Sequence, residues 1–265
     1  MSGADDSRAF KDFEAAGWSR NAAGYGALTG RITAHVADPL LDAARVAAGT
    51  SVVDVGCGRG DLCAAAATRG ARPTGVDLAD GMVAAARAAH PGLDFRVGDA
   101  EGLPFATGAF DAALAAFVVN HLPHPERAAA EWRRVVASGG RVAVAMWDQP
   151  ERVAFLGLLD TAMDAAKVER GLLLPPGPPA YRFAEDAELR ALLEGAGLDA
   201  VEVGGVEFAY TVASLDELWD GVKTGSVRTA AQLRALDDLL EQRRSTGGLE
   251  LETAVKIAVG ISPGG

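Results

Sequence analysis

Lysine is scarce in this chain: Lys11, Lys167, Lys223 and Lys256 are the only four. Acidic residues (36) outnumber basic ones (25), leaving a net charge of −11. With no basic run to match a row of phosphates, a nucleic-acid backbone is an unfavourable partner. Cysteine is almost missing too. Cys57 and Cys63 are the only two; their spacing fits no zinc motif and disfavours a disulfide, which suits a reducing cytoplasm. No apolar stretch reaches the ~20 residues that a membrane-spanning helix needs. The opening MSGADDSRAF is polar and acidic, a composition that argues against a signal peptide. No internal repeat is visible. What is plentiful is Ala and Gly, in a chain of 265 residues that can bury a core as one large domain or as a domain with a lid. The dominance of Arg over Lys points to a GC-rich bacterial genome.

The most informative stretch is VVDVGCGRG, Val52 to Gly60. Val52, Val53 and Val55 are β-branched and suit a buried parallel strand. Gly56, Gly58 and Gly60 then turn the chain sharply, and their missing Cβ atoms let backbone approach a ligand. Asp61 and Leu62 open an alanine-rich helix, whose N-terminus offers free N–H groups and partial positive charge. The pattern G-x-G-x-G differs from the G-x-G-x-x-G of dinucleotide folds. That difference points away from NAD and towards S-adenosylmethionine (SAM).

Strand and helix signals alternate from Ser51 to about Trp147, as in a βαβ sheet. Strands are expected at Ser51–Val55, Pro73–Asp77, Leu93–Val97, Phe110–Val118 and Arg141–Met146. Helices are expected at Asp61–Arg69, Asp80–His90 and Pro125–Ala137, the last opened by Pro125 and Glu126 and ended by Gly139–Gly140. Further on, helices are expected at Glu151–Arg170, Asp186–Glu194, Leu215–Lys223 and Thr229–Arg244. Leu198–Tyr210 and Glu252–Gly260 read as strands, and the proline run from Pro175 to Pro179 breaks regular structure. The first 50 residues read as mostly helical, with Trp18, Tyr25 and Ile32 facing inward. Three segments follow: a helical cap (1–50), a cofactor-binding core (51–147), and the rest of the sheet with helical lid insertions (148–265).

Taken together these motifs resemble a class I SAM-dependent methyltransferase, close to the small-molecule group (methyltransferase type 11) that includes ubiquinone/menaquinone-biosynthesis enzymes. VVDVGCGRG resembles the SAM loop. GVDLADGMVAAAR (Gly75–Arg87) resembles the acidic second strand and its helix. Val97–Trp147 resembles the remainder of the core, and RFAEDAELRALLEGAGLDAVEV (Arg182–Val203) a late helix and strand. The resemblance implies an α/β fold with a doubly wound, seven-stranded, mostly parallel sheet of order 3-2-1-4-5-7-6, the last strand antiparallel. It also implies SAM as cofactor, S-adenosylhomocysteine as product, no metal, and a small-molecule methyl acceptor. The protein is expected to be a monomer or homodimer.

Site residues follow from the same resemblance, each beside a plainer reading. Asp77, 17 positions after Gly60, can accept both ribose hydroxyls; the plainer reading is a solvated acid at a strand end. Asp99 can accept the adenine amine while the Ala100 N–H meets a ring nitrogen; otherwise Asp99 closes an Asx-turn. Leu78 and Met82 cover the adenine faces or are ordinary core. Asp54, inside the first strand, holds either the glycine loop or the SAM amino group. Gly56 and Gly58 contribute backbone contacts. Tyr25, and with less support Trp18, closes over the methionine end, where an aromatic face favours a sulfonium. Phe117, Asn120 and His121 face the methyl group, and a neutral His121 imidazole can act as general base. His124 reads as a helix cap or surface residue, His35 and His90 as structural. Trp147, Phe155, Tyr181, Tyr210 and Trp219 are candidates for the acceptor pocket wall. The segment after the fourth strand reads VVNHLP in place of N-P-P-[YFW], which disfavours nucleic-acid or glutamine N-methylation. No carboxylate cluster suggests a magnesium-dependent catechol type. The alternatives are a SAM enzyme of other chemistry, such as cyclisation, a SAM-binding protein without turnover, and an NAD(P) oxidoreductase.

Overall fold

The computed structural model describes residues 3–158, 179, 181–225, 227 and 249–264. The expected helix at 229–244, most of the one at 151–170 and most of the proline run lie outside these residues. Val52, Val53 and Val55 are fully buried in the first strand, β1 (Ser51–Val55). On one side β1 pairs in parallel with β2 (Arg72–Asp77), and β2 with β3 (Asp94–Val97). On the other side it pairs in parallel with β4 (Phe110–Ala116), and β4 with β5 (Val136–Trp147). The last strand, β7 (Leu249–Ile261), lies antiparallel between β5 and β6 (Asp199–Val212). The order is β3-β2-β1-β4-β5-β7-β6, as the resemblance implied. Such an open sheet reverses its winding beside β1, and ligands bind at the carboxyl ends there.

Helices cover the sheet. α1 (Gly3–Asn21), α2 (Thr29–Ala34) and α3 (Ala37–Ala43) precede it. α4 (Asp61–Thr68) and α5 (Asp80–Ala89) follow β1 and β2. α6 (Pro125–Val135) buries Ala128, Ala129, Trp132 and Val135, a stripe at helical spacing, against the sheet core. α7 (Asp186–Gly195) inserts Leu189, Leu192 and Leu193 into the same core. α8 is Leu215–Gly225.

Most boundaries shift by one to three residues; two of the differences have plain backbone reasons. β4 stops at Ala116, two residues short of Val118, because Phe117 takes a left-handed conformation (φ +57) and residues 119–121 wind into a 3-10 turn. Gly139–Gly140 does not end α6. β5 starts at Val136, directly after the helix, and the register jumps from Phe110↔Val136 to Ala112↔Arg141. The glycine pair forms the resulting bulge: Gly139 has φ +78 and donates its N–H to the Ser262 carbonyl at 2.8 Å. Near the start of the expected 151–170 helix, Pro150–Arg152 forms a 3-10 turn and residues 154–158 are helical.

Candidate functional site

The chain leaves β1 through a turn tied down from below. The N–H groups of Gly56 and Cys57 both donate to the Val76 carbonyl, at 2.7 and 3.0 Å. Gly56 has φ +71, and a Cβ there would sit 2.1 Å from Val118 Cγ2, so only glycine fits. Gly58 has φ +53 but nothing within 4 Å of the position a Cβ would take. The turn is closed behind and open in front. Asp77 holds it: Oδ2 accepts the Gly58 N–H at 2.9 Å and Oδ1 the Ala79 N–H at 2.8 Å. Burial raises the Asp77 carboxyl above its ordinary pKa, and those two N–H groups draw it back. Each oxygen retains a lone pair, the acceptor geometry that a pair of vicinal hydroxyls needs.

Asp54 lies beneath the turn and does not hydrogen-bond it; its Oδ2 accepts the Cys63 thiol at 3.5 Å. Burial, with the charges of Asp77 and Asp61 adding to it, pushes its pKa up to about 7. Cys57 and Cys63 are free and buried, and burial pushes both thiols well above their usual range, so they are inert packing residues. Three carboxylates that repel one another beside an open turn make a place where a cation is favoured.

The next carboxylate is already engaged. Asp99 Oδ1 accepts the Glu101 N–H at 2.9 Å, an Asx-turn, while Oδ2 accepts the Lys11 ammonium at 2.7 Å. Lys11 also reaches Glu101 Oε2 at 2.8 Å. Burial works against the ammonium, but these two acids more than offset it and hold its pKa above the ordinary value. Ala100 is buried beside this turn. Met82 is buried with Ala22 and Ala79, and Trp18 and Tyr25 pack on them. Leu78 follows Asp77 and is partly exposed.

α1 crosses above these groups and supplies two residues that sequence reasoning missed, Lys11 and Glu14. Glu14 is buried, and its Oε2 lies 3.0 Å from both Trp18 Nε1 and His121 Nδ1. The signal was present: Glu14 stands four residues from both Phe10 and Trp18, so a carboxylate shares an inward stripe with two aromatics. The Trp18 ring meets His121 edge-on at 5.4 Å and Tyr25 at 5.9 Å. Burial raises the Tyr25 phenol to about 12, so it stays neutral.

The other candidates fall into two groups. Phe117 lies against Trp147 (ring centroids 4.2 Å), and Trp147 meets Phe155 edge-on at 5.3 Å. Phe155, Tyr210 and Trp219 share one apolar cluster with Leu28, Ile32 and Leu218. Burial raises the Tyr210 phenol as well. Tyr181 lies outside that cluster; its carbonyl accepts the Ala184 N–H at 3.1 Å. Asn120 is buried on the 3-10 turn beside His121. His124 occupies the N-cap position of α6 without capping it through its side chain; its Nε2 lies 3.0 Å from Ser7 Oγ. His35 stacks on Phe208, and His90 packs against Phe95. Among the described residues no group of three or more His, Cys, Asp or Glu could hold a metal ion, and no helix is long and apolar enough to cross a membrane.

Known proteins resemble this chain in sequence and fold. Residues 53–144 match the family model described as "Methyltransferase domain". A demethylmenaquinone methyltransferase of Beutenbergia cavernae is 31% identical over 147 residues, covering 56% of this chain and 61% of that protein. The chain thus spans about three-fifths of that curated relative's length. The YcgJ protein of Bacillus subtilis shares the fold with a TM-score of 0.59 at 20% identity, over 87% of this chain and 99% of the other. A geranyl diphosphate C-methyltransferase from Streptomyces coelicolor, solved with S-adenosylhomocysteine, aligns with a TM-score of 0.53 at 18% identity over 88% of this chain and 80% of that one. Over residues 53–144 the chain is therefore similar to a methyltransferase domain, and it shares its fold with those solved structures.

Proposed function

We propose that this protein transfers a methyl group from SAM to a carbon, oxygen or nitrogen atom of a small organic acceptor, quinone-like or a secondary metabolite. The observation that carries the reading is the Gly58–Asp77 hydrogen bond beneath a turn left open in front. Both Asp77 oxygens are already aligned by backbone N–H groups, so their remaining lone pairs are preorganised for the two ribose hydroxyls. Asp99 and the Ala100 N–H serve the adenine edge, with Leu78 and Met82 on its faces. Lys11 fixes the Asp99 carboxylate in place for that contact. Gly56 and Gly58 bring backbone against the methionine end, and Asp54 attracts its ammonium. Tyr25 and Phe117 border the sulfonium, Tyr25 as a neutral aromatic face.

When bound, the cofactor supplies an activated methyl on a positively charged sulfur. The protein's task is to hold the acceptor atom in line and keep water out, and orientation of this kind supplies about 7–11 kcal/mol in favourable cases. His121 takes the proton that a phenol or activated carbon must lose. The apolar wall formed by Trp147, Phe155, Tyr210 and Trp219 binds the acceptor. The net charge of −11 disfavours nucleic acid as acceptor. The two buried free thiols fit a reducing compartment, the cytoplasm.

The test is turnover of methyl-labelled SAM with a panel of quinols, phenols and amines, read by mass spectrometry. The expected product has one hydrogen replaced by the labelled methyl. A product formed without methyl gain would overturn methyl transfer in favour of another reaction on this fold.

A further inference from the structure

We infer that Glu14, on α1, is a positioning residue that fixes the tautomer of His121: proton on Nδ1, lone pair on Nε2. Oε2 of Glu14 lies 3.0 Å from His121 Nδ1 and 3.0 Å from Trp18 Nε1. An ionised carboxylate can only accept and an indole N–H can only donate, so with Glu14 ionised the imidazole nitrogen facing the same oxygen is a donor. Nδ1 therefore carries the hydrogen. Among the described residues no hydrogen bond engages Nε2. Glu14 is 3% exposed, so the acceptor is shielded from competing water. The Trp18 ring packs edge-on against the imidazole at 5.4 Å and limits its rotation. The backbone holds the other end: the His121 N–H donates to the Val118 carbonyl at 2.8 Å within the 3-10 turn.

A helix that precedes the sheet thus sets which nitrogen is basic. That the basic nitrogen serves catalysis rests on the proposed methyl transfer; the tautomer itself does not. In the proposed reaction the acceptor's O–H or C–H proton would pass to Nε2 while the pair that held it forms the bond to the methyl carbon; the methyl–sulfur bond would break, its pair remaining on the sulfur of S-adenosylhomocysteine, and the imidazolium's Nδ1–H would still face the Glu14 carboxylate. This is the arrangement of a base oriented by a third group.

The experiment is 15N NMR of histidine-labelled full-length protein at a pH where imidazole is neutral, with the His121 signals assigned by their loss in His121→Gln. The expected wild-type pattern is a pyrrole-like Nδ1 and a pyridine-like Nε2. In Glu14→Leu that preference is lost, a shift in tautomer ratio of ~10-fold for one charge-assisted hydrogen bond. Trp18→Phe removes the competing donor and retains the wild-type pattern. Should Glu14→Leu not fold, Glu14→Asp gives the reading: the shorter carboxylate restores the pattern only in part. An Nε2–H wild-type ring, or a folded Glu14→Leu with an unchanged ring, overturns the inference. Calorimetry with S-adenosylhomocysteine on the same samples is separate: absence of binding defeats the proposed function and leaves the tautomer result standing.

Discussion

The two ends of the sheet solve different problems. Beside β1 to β3 the carboxyl edge is polar and fixed by backbone: Gly58 and Ala79 N–H groups on Asp77, the Glu101 N–H on Asp99, and Lys11 across the top. Beside β5 to β7 it is apolar and fixed by side-chain packing: Trp147 on Phe155, with Tyr210 and Trp219 in the same cluster. A backbone-built site tolerates few substitutions and suits one invariant ligand. A site built by packing alters with each side chain and suits a ligand that differs between relatives. On this account the first is the cofactor half and the second the acceptor half.

Substitutions can break that division. The largest effect is expected at Asp77. Asp77→Ala removes the acceptor for both loop N–H groups and for the ribose, so affinity for S-adenosylhomocysteine falls ~100-fold or more by calorimetry. Gly56→Ala acts on stability: φ +71 and a 2.1 Å approach to Val118 predict a loss of ~2–4 kcal/mol in urea unfolding. Gly58→Ala has the same backbone sign but open space. It should lose only ~1 kcal/mol of stability while weakening S-adenosylhomocysteine ~10-fold, because the new methyl projects where the ligand would lie.

Asp54 adds a pH test. Its carboxyl in the free protein is raised from 3.8 to about 7, and pairing with an ammonium requires the ionised form. Binding is therefore linked to proton loss, and affinity falls as pH drops below about 7, by up to ~10-fold per pH unit. Stability of the free protein runs the other way. A raised carboxyl pKa favours the protonated fold, so stability declines as pH climbs from 3.8 to about 7 and the penalty is complete above that. Asp54→Asn flattens both dependences, as read by calorimetry and thermal melts. The smallest effect sharpens the comparison: Trp219→Leu should leave S-adenosylhomocysteine affinity within ~2-fold while changing which acceptors in the panel are methylated.

The cofactor half was legible in the sequence because its chemistry is local. Three glycines within five residues and an acid after a second apolar strand mark the turn and Asp77, and the sheet order was implied by the family resemblance that these motifs carry. The boundary at Ala116 was not legible, since a left-handed Phe117 leaves no trace in a run of apolar residues. Nor was the bulge at Gly139–Gly140, where a glycine pair after a helix reads equally as a stop. The pairings of Lys11 and Glu14 were missed because those partners lie 88 and 107 residues away: the Phe10–Glu14–Trp18 stripe turns Glu14 inward but does not name His121 as its partner. The grouping of Phe155, Tyr210 and Trp219, with Tyr181 apart, likewise depends on packing between elements distant in sequence.

The most direct test of the central claim is titration calorimetry of the purified chain with S-adenosylhomocysteine and, separately, with NAD. The account predicts saturable binding of S-adenosylhomocysteine at one site, lost in Asp77→Ala, and no heat with NAD. Tight NAD binding, or S-adenosylhomocysteine binding that survives Asp77→Ala undiminished, would contradict it.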